Sequence, residues 1–176
     1  VGSEMCIRDR SRDGGRNFYQ KQPKEAFPVC DFGYIDTANK TEVRGEGGKT
    51  GIFYLALGDA GLYKLCYDTK TEEIHVKRLT DTGDACYRMG LGVIGEDRDY
   101  LTEEKAIYFC GRLEGEYGFY RTFDEGKSYE RLNQDNQMYG EINSIDGDKR
   151  KFGRFFLATG SRGVLYGEMK RQSRKI

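Results

Sequence analysis

The stretch Thr122-Phe-Asp-Glu-Gly-Lys-Ser-Tyr129 has the pattern hydroxyl-x-Asp-x-Gly-x-polar-aromatic. The same pattern occurs a second time, as Ser11-Arg-Asp-Gly-Gly-Arg-Asn-Phe18. The aspartate in each copy can accept backbone N–H groups across the turn, and the glycine can adopt a positive φ without steric cost. The motif therefore predicts a tight turn followed by a β-strand that begins at the final aromatic residue. The structural positions are Ser11, Asp13, Gly15 and Phe18 in one copy and Thr122, Asp124, Gly126 and Tyr129 in the other.

Around this turn, the chain repeats a β-hairpin pattern three times. In each copy an apolar run is followed by a glycine-bounded turn and a second, aromatic run. The glycines that open the second runs are at positions 61, 118 and 163, which are 57 and 45 residues apart. Four-stranded propeller blades repeat every ~40 to 50 residues, so the spacing indicates blades. The copies are 52–64, 107–121 and 155–166.

The predicted fold class is all-β, an incomplete β-propeller of about three antiparallel four-stranded blades. We expect a blade remnant at 11–20, four-stranded blades at 29–80 and 86–133, and a final blade at 142–168. The final blade offers only three strand-like runs before the basic tail at 169–176, so its sheet should be three-stranded. An open arc of this kind leaves strand edges exposed.

Composition excludes several classes of function. The 176 residues include 29 Lys and Arg and 29 Asp and Glu, so the chain has no basic field for nucleic acid. No stretch approaches the ~18 consecutive apolar residues of a membrane-spanning helix, and the mean hydropathy is -0.77. We therefore expect neither a nucleic acid nor a membrane as partner. A neutral, hydroxyl-rich ligand suits this charge balance best.

Motifs for cofactors and metals are weak. The segment Gly90-Leu-Gly-Val-Ile-Gly95 matches G-x-G-x-x-G, but a polar loop follows it where a dinucleotide site needs a helix. The single histidine, His75, has no matching nucleophile, and the cysteines form no closely spaced pair. We expect no cofactor and no metal. Buried free thiols explain the cysteines most simply, with one disulfide as the alternative in a secreted protein. The cysteines after residue 6 are Cys30, Cys66, Cys86 and Cys110.

Both turns resemble the Asp-box of sialidase-like propellers. The C-terminal half of the chain resembles one family of such propellers in more detail. Residues 11–168 are similar to the end of the xyloglucan-hydrolysing tandem-propeller family. Departures from the family pattern are Tyr129 in place of Trp, Gln137 in place of His and Lys149 in place of Pro. The segments that carry the resemblance are Met89–Gly92, Tyr120–Tyr129, Arg131–Asn133, Tyr139–Gly140, Gly147–Asp148, Gly153–Arg154 and Thr159–Gly167.

The resemblance implies a parent protein that cleaves β-1,4-glucan backbones with xylosyl branches, with inversion, between two stacked propellers. Inversion needs an acid and a base carboxyl group about 6.5 to 9.5 Å apart. In the family both lie upstream of the matched region, so we expect no catalytic residue in this chain. The resemblance also implies a xyloglucan-like polysaccharide as ligand, an upstream propeller of the same parent as partner, and an extracellular location.

Sugar contacts are the site chemistry that the residues themselves favour, because sugar rings stack on aromatic faces and bond to polar edges. Tyr139, with Asn136 and Gln137 in the loop between blades, is the best candidate for such contacts. An alternative function is a non-catalytic propeller that binds proteins, as in sortilin-like receptors or assembly factors. That function needs no carboxylate pair, so the upstream sequence would distinguish the two.

The N-terminal residues need separate treatment. Val1–Asp9 resembles the translation of a sequencing-library adaptor, and Arg10 would complete its last codon. We therefore expect residues 1–10 to belong to no folded element, and the native sequence to start near Ser11 inside a longer reading frame. Any secretion signal would have preceded that point.

Overall fold

The computed structural model describes residues 9–10, 13, 15–17, 19–20, 36–45, 48–68, 70–98 and 104–169. Within these ranges the chain forms thirteen β-strands and no helix. The prediction of an all-β fold is confirmed. The strands are β1 (Asp9–Arg10), β2 (Tyr19–Gln20), β3 (Asp36–Gly45), β4 (Gly48–Ala56), β5 (Leu62–Asp68), β6 (Ile74–Arg78), β7 (Ala85–Gly92), β8 (Ala106–Leu113), β9 (Glu116–Thr122), β10 (Glu130–Arg131), β11 (Ile142–Gly147), β12 (Phe155–Thr159) and β13 (Val164–Gly167).

The strands pair antiparallel into four sheets. The first sheet is the β1–β2 pair, the second has the order β3-β4-β5-β6, and the third has the order β10-β9-β8-β7. The fourth sheet has the order β11-β12-β13. Strands that are consecutive in the chain are therefore neighbours in each sheet. The three-stranded final sheet is confirmed.

Burial along the strands follows their position in the sheets. In β8, seven of the eight residues are buried and only Arg112 is partly exposed, as expected for a strand covered on both faces. In β6, exposed His75 and Lys77 alternate with more buried neighbours, as expected for a strand at a solvated edge.

The core consists of apolar layers between successive sheets. Phe109 of β8 packs with Tyr54 and Leu62 of the second sheet. Its neighbour Tyr108 points to the other face and packs with Leu157 of the fourth sheet. Because successive side chains of a strand face opposite ways, β8 joins the two layers.

Neighbouring sheets approach each other at strands β3, β7 and β11. The outer edges of the sheets, on the opposite side, are therefore strands β6, β10 and β13. The third and fourth sheets approach closely at Gly90 of β7. A Cβ added there would lie 2.4 Å from Asp146 Cα and 2.4 Å from the carbonyl oxygen of Ile145 in β11. Glycine therefore allows backbone-to-backbone contact between the sheets. The sheets do not close into a ring, which confirms the prediction of an incomplete propeller.

The expectation for residues 1–10 needs a correction at its last two positions. Asp9 pairs with Gln20 and Arg10 pairs with Tyr19, so these two residues form β1. The physical reason is that the turn at 11–18 reverses the chain, and the residues on its two sides then meet as a hairpin. Met5 and Ile7 lie outside the described residues.

Candidate functional site

The turn at 122–129 is closed by the side chain of Asp124. Its Oδ1 accepts the backbone N–H of Ser128 at 2.9 Å, and its Oδ2 accepts the Ser128 hydroxyl at 2.6 Å. The Thr122 hydroxyl donates to Asp124 Oδ1 at 2.8 Å and accepts the backbone N–H of Gly126 at 3.0 Å. Gly126 has a φ of 83°. Hydrogen bonds from Ser128 lower the pKa of Asp124 to about 2, so this carboxylate is a stabilised acceptor in the turn.

Tyr129 connects this turn to the second sheet. Its hydroxyl donates to the carbonyl oxygen of Leu79 at 2.7 Å, just beyond β6. Its ring packs edge-on against Phe109, with 5.7 Å between ring centroids. Burial raises the pKa of the Tyr129 hydroxyl. The aromatic position of the motif therefore contributes to packing between sheets.

The turn at 11–18 uses the same contacts in the part that the structure describes. Asp13 Oδ1 accepts the backbone N–H groups of Arg16 and Asn17, each at 3.0 Å. Its Oδ2 accepts the Asn17 side-chain amide at 2.5 Å. Gly15 has a φ of 90°. Ser11 and Phe18 lie outside the described residues.

A groove of about 1420 Å³ lies between the third and fourth sheets, on the side of their outer strands. Phe119 of β9 and Leu132, which follows β10, line one wall. Phe155 of β12 and Tyr166 of β13 line the other. Among the described residues the fourth sheet has three strands and the third has four. We refer to this groove below as the outer groove.

Some of the charged groups in the outer groove form ion pairs. The Nε and Nη2 groups of Arg121 donate to one oxygen of Glu130, at 2.9 and 2.6 Å. The Arg121 side chain is only 6% exposed, whereas that of Glu130 is 61% exposed. Across the groove, Glu168 accepts hydrogen bonds from Lys151 at 2.8 Å and Arg154 at 2.7 Å. The groove therefore combines aromatic walls with these ion pairs, and Glu96, Asp97 and Arg150 also line it.

The structure separates the three candidates for sugar contacts. Tyr139 and Gln137 line the outer groove, and Asn136 is exposed but does not line it. The Tyr139 ring stacks on Phe119, with 6.2 Å between centroids and 5° between planes. Gln137 also fastens its own loop, because its side-chain oxygen accepts the Gln134 N–H at 3.0 Å. Two of the three candidates therefore share one surface.

Other groove residues were not singled out by the sequence, Arg121, Phe152 and Tyr166 among them. Arg121 and Tyr166 are 45 positions apart in the chain and reach the groove only because two sheets pack side by side. In the sequence, Arg121 and Tyr166 each lie at the end of one of the aromatic runs of the hairpin repeat, and those runs were the available indication. Phe152 stacks obliquely on Phe123, with 4.9 Å between ring centroids.

Two carboxyl groups near the outer groove, those of Glu168 and Asp148, have lowered pKa values. Hydrogen bonds from Lys151 and Arg154 lower the pKa of Glu168. Burial works to raise the pKa of Asp148, but the backbone N–H groups that follow it and the Arg154 charge outweigh burial and lower it. A glycosidase general acid requires the opposite, a raised pKa. These two carboxyl groups therefore lack the property of such an acid.

Other possible site features lie within the described residues. Cys66, Cys86 and Cys110 are free thiols, and burial raises the pKa of the Cys110 thiol. No group of three or more His, Cys, Asp and Glu side chains in this part of the chain is placed to hold a metal ion. No helix there is long and apolar enough to cross a membrane.

The open set of antiparallel sheets, with aspartate-closed turns and backbone contact between neighbouring sheets, defines a segment of a β-propeller. No protein-family model matches the chain. It is 30% identical over 166 residues to a xyloglucanase from Acetivibrio thermocellus, and the aligned residues cover 89% of this chain and 19% of the relative. It is also 30% identical over 165 residues to an oligoxyloglucan-reducing end-specific xyloglucanase from Emericella nidulans, covering 91% of this chain and 18% of the relative.

A solved structure agrees with these relatives. The GH74 xyloglucanase from Xanthomonas campestris superposes with a TM-score of 0.60 at 25% identity, covering 92% of this chain and 21% of that one. Over most of its length the chain is thus a homologue of the xyloglucanases. It spans about a fifth of the length of the relatives it matches.

Proposed function

We propose that this chain is a segment of a glycoside hydrolase that acts on xyloglucan or a related β-1,4-glucan. The observation that carries the proposal is the 30% identity to a xyloglucanase across 89% of the chain. The superposition on a solved xyloglucanase across 92% of the chain supports it independently. The segment supplies propeller blades to its parent, and an upstream propeller of the same parent is its partner.

The parent acts by inversion with two carboxyl groups that this segment does not contain. The pKa values of Asp124, Asp148 and Glu168 are lowered, whereas the acid of an inverting pair needs a raised one, so these three carboxyl groups are not candidates for that acid. Asp124 is engaged in its turn and Glu168 in ion pairs. The parent acts on a polysaccharide outside the cell.

Gln137 and Tyr139 are the residues of this segment that contact the polysaccharide. They share the outer groove with aromatic side chains, on which sugar rings can stack. The similar proteins named above are xyloglucanases, which favours the hydrolase over a protein-binding propeller.

A chimeric enzyme tests this function. Residues 36–168 of this chain replace the matching segment of the Acetivibrio thermocellus xyloglucanase, and release of reducing sugar from xyloglucan is measured. The chimera should hydrolyse xyloglucan because the two segments build the same blades. A folded chimera without activity would contradict the proposal.

Two variants of the chimera test whether the outer groove contributes to substrate binding. Tyr139→Ala should raise KM about fivefold, the effect of losing one aromatic contact worth about 1 kcal/mol. Asn136→Ala is the matched control, because Asn136 lies in the same loop but outside the groove. Equal KM values for the two variants would show that Tyr139 in the outer groove does not contribute to xyloglucan binding. The assignment of the chain to a hydrolase would be unaffected by that result.

A further inference from the structure

Tyr117 is an exposed tyrosine that does not line the outer groove. It is the second residue of β9, so it lies at the end of the third sheet opposite the turn at 122–129. Its side chain oxygen shares a hydrogen bond of 3.3 Å with the buried Sγ of Cys110. Burial raises the pKa of this hydroxyl. The hydroxyl is therefore held inwards, and the exposed surface of Tyr117 belongs to its ring.

A bulge in β7 brings a second tyrosine beside this ring. The register of β7 against β8 shifts between Cys86 and Arg88, which makes Tyr87 the extra residue of the bulge. The rings of Tyr87 and Tyr117 lie 6.5 Å apart between centroids, with 32° between their planes. Bulges re-aim side chains and are frequent next to active sites. Here the bulge brings two aromatic rings from different strands together.

Asp59 and Arg112 add polar groups beside the two rings. Arg112 is the cross-strand partner of Tyr117, and Asp59 lies in the loop between β4 and β5. The Tyr87 hydroxyl donates to Asp59 Oδ1 at 3.0 Å, and Arg112 Nη2 donates to the same oxygen at 3.4 Å. The Asp59 side chain is 80% exposed and that of Arg112 is 43% exposed. The two charges balance each other, and both groups remain accessible to a ligand.

We propose that Asp59, Tyr87, Arg112 and Tyr117 form a second glycan-binding site, which we call the Tyr117 site. Its ligand is an uncharged glycan of the class proposed above for the parent, so this proposal rests on the proposed function and extends it beyond the outer groove. A sugar ring stacks on Tyr117, while its hydroxyl groups donate to the Asp59 carboxylate and accept from the Arg112 guanidinium. The balanced charges of Asp59 and Arg112 favour an uncharged ligand over an ionic one.

One buried ring joins the Tyr117 site to the outer groove. Phe119 lines the groove and packs edge-on against Tyr117, with 6.5 Å between centroids. Tyr139 stacks on the same Phe119 ring at 6.2 Å. Tyr117 and Tyr139 are therefore separated by a single ring. A chain of several sugar units can contact both, which favours a polymeric glycan over a single sugar.

The test is the retardation of the purified chain in native gels that contain xyloglucan, which gives a dissociation constant when the xyloglucan concentration is varied. The unsubstituted chain should be retarded. Tyr117→Ala should raise the dissociation constant about fivefold, because the stacking surface is lost. Asp59→Ala should raise it by a similar factor, because a charged acceptor is lost. Tyr117→Phe keeps the ring and should stay within about twofold of the unsubstituted chain.

Glu116→Gln is the matched control. Glu116 is the neighbour of Tyr117 in β9, its side chain is 71% exposed, and successive side chains of a strand face opposite sides. This variant should bind like the unsubstituted chain. Circular dichroism verifies that each variant is folded, and Asp59→Ala tests the site in an exposed loop should Tyr117→Ala unfold. A polyuronate in place of xyloglucan should retard the chain less, because its sugars carry carboxylates.

Three results would overturn the Tyr117 site: no retardation of the unsubstituted chain, retardation that neither Tyr117→Ala nor Asp59→Ala weakens, or equal retardation by the polyuronate. Binding that Tyr139→Ala abolishes and Tyr117→Ala leaves unchanged would also overturn it, since the ligand would then occupy the outer groove alone. Hydrolysis by the chimera is a separate measurement. An active chimera whose KM is unaffected by Tyr117→Ala would overturn the Tyr117 site and leave the proposed function in place, whereas a folded, inactive chimera would contradict the proposed function.

Discussion

Asp124 shows how one residue can hold a turn through bonds to near neighbours. It accepts both the N–H and the hydroxyl of Ser128 and a hydroxyl from Thr122. Asp124→Ala should lower the free energy of unfolding by about 1–2 kcal/mol, as for the loss of a capping side chain. Urea denaturation measures this change.

The matched control for Asp124 is Asp135→Ala. Asp135 is 90% exposed and forms one ion pair with Arg131 at 2.9 Å. Exposed ion pairs contribute less than about 1 kcal/mol, so this substitution should change stability little. Equal losses in the two variants would contradict the role assigned to the Asp124 hydrogen bonds.

The lowered pKa of Asp124 predicts an acid-dependent loss of stability. The folded-state pKa is about 2, and the unfolded-state value is about 4. The contribution of the carboxylate is therefore complete above about pH 4 and disappears as the pH falls towards 2. The stability difference between the original chain and Asp124→Asn should narrow across this interval in urea titrations. A difference that stays constant down to pH 2.5 would contradict this assignment.

At the scale of the strands, the contact between β7 and β11 depends on the missing side chain of Gly90. A Cβ there would lie 2.4 Å from two backbone atoms of β11, and backbone cannot move aside as a flexible side chain can. Gly90→Ala should lower the free energy of unfolding by about 3 kcal/mol, the upper end of overpacking costs. Thermal and urea denaturation measure it.

Gly95→Ala is the control for Gly90. A Cβ at Gly95 would meet only the side chain of Arg98, at 3.3 Å, and that side chain can move. The effect should stay within about 0.5 kcal/mol, typical of surface substitutions. If Gly90→Ala proved as mild, the close approach of the two strands would be disproved.

At the scale of the whole molecule, the purified chain should not hydrolyse xyloglucan. The chain spans about a fifth of its relatives, and the mechanism proposed for the parent requires two carboxyl groups that act together. Reducing-sugar release from xyloglucan should stay at the background level while the Acetivibrio thermocellus xyloglucanase is active in the same assay. Turnover that disappears when an acidic residue between 11 and 176 is replaced would show that this chain holds a catalytic carboxyl group.

Features that depend on near neighbours along the chain could be predicted from the sequence alone. The hydrogen bonds of Asp124 reach no further than four residues along the chain, so their pattern is visible in the motif. The hairpin repeat and the three runs of the final sheet are equally local, which is why the all-β class and the three-stranded sheet were predicted correctly. The strand at Asp9–Arg10 was missed because its residues carry no β pattern and acquire a partner only across the turn.

The surfaces that the sheets share could not be predicted from the sequence and depend on tertiary packing. The outer groove joins Arg121 to Tyr166, and it includes Tyr139 but not the nearby Asn136. Gly90 lies against Asp146, 56 positions later. Such contacts depend on the angle and distance at which two sheets pack, which the side chains of both sheets determine together. No local pattern contains that information, so the groove and the Tyr117 site could be located only once the sheets were placed.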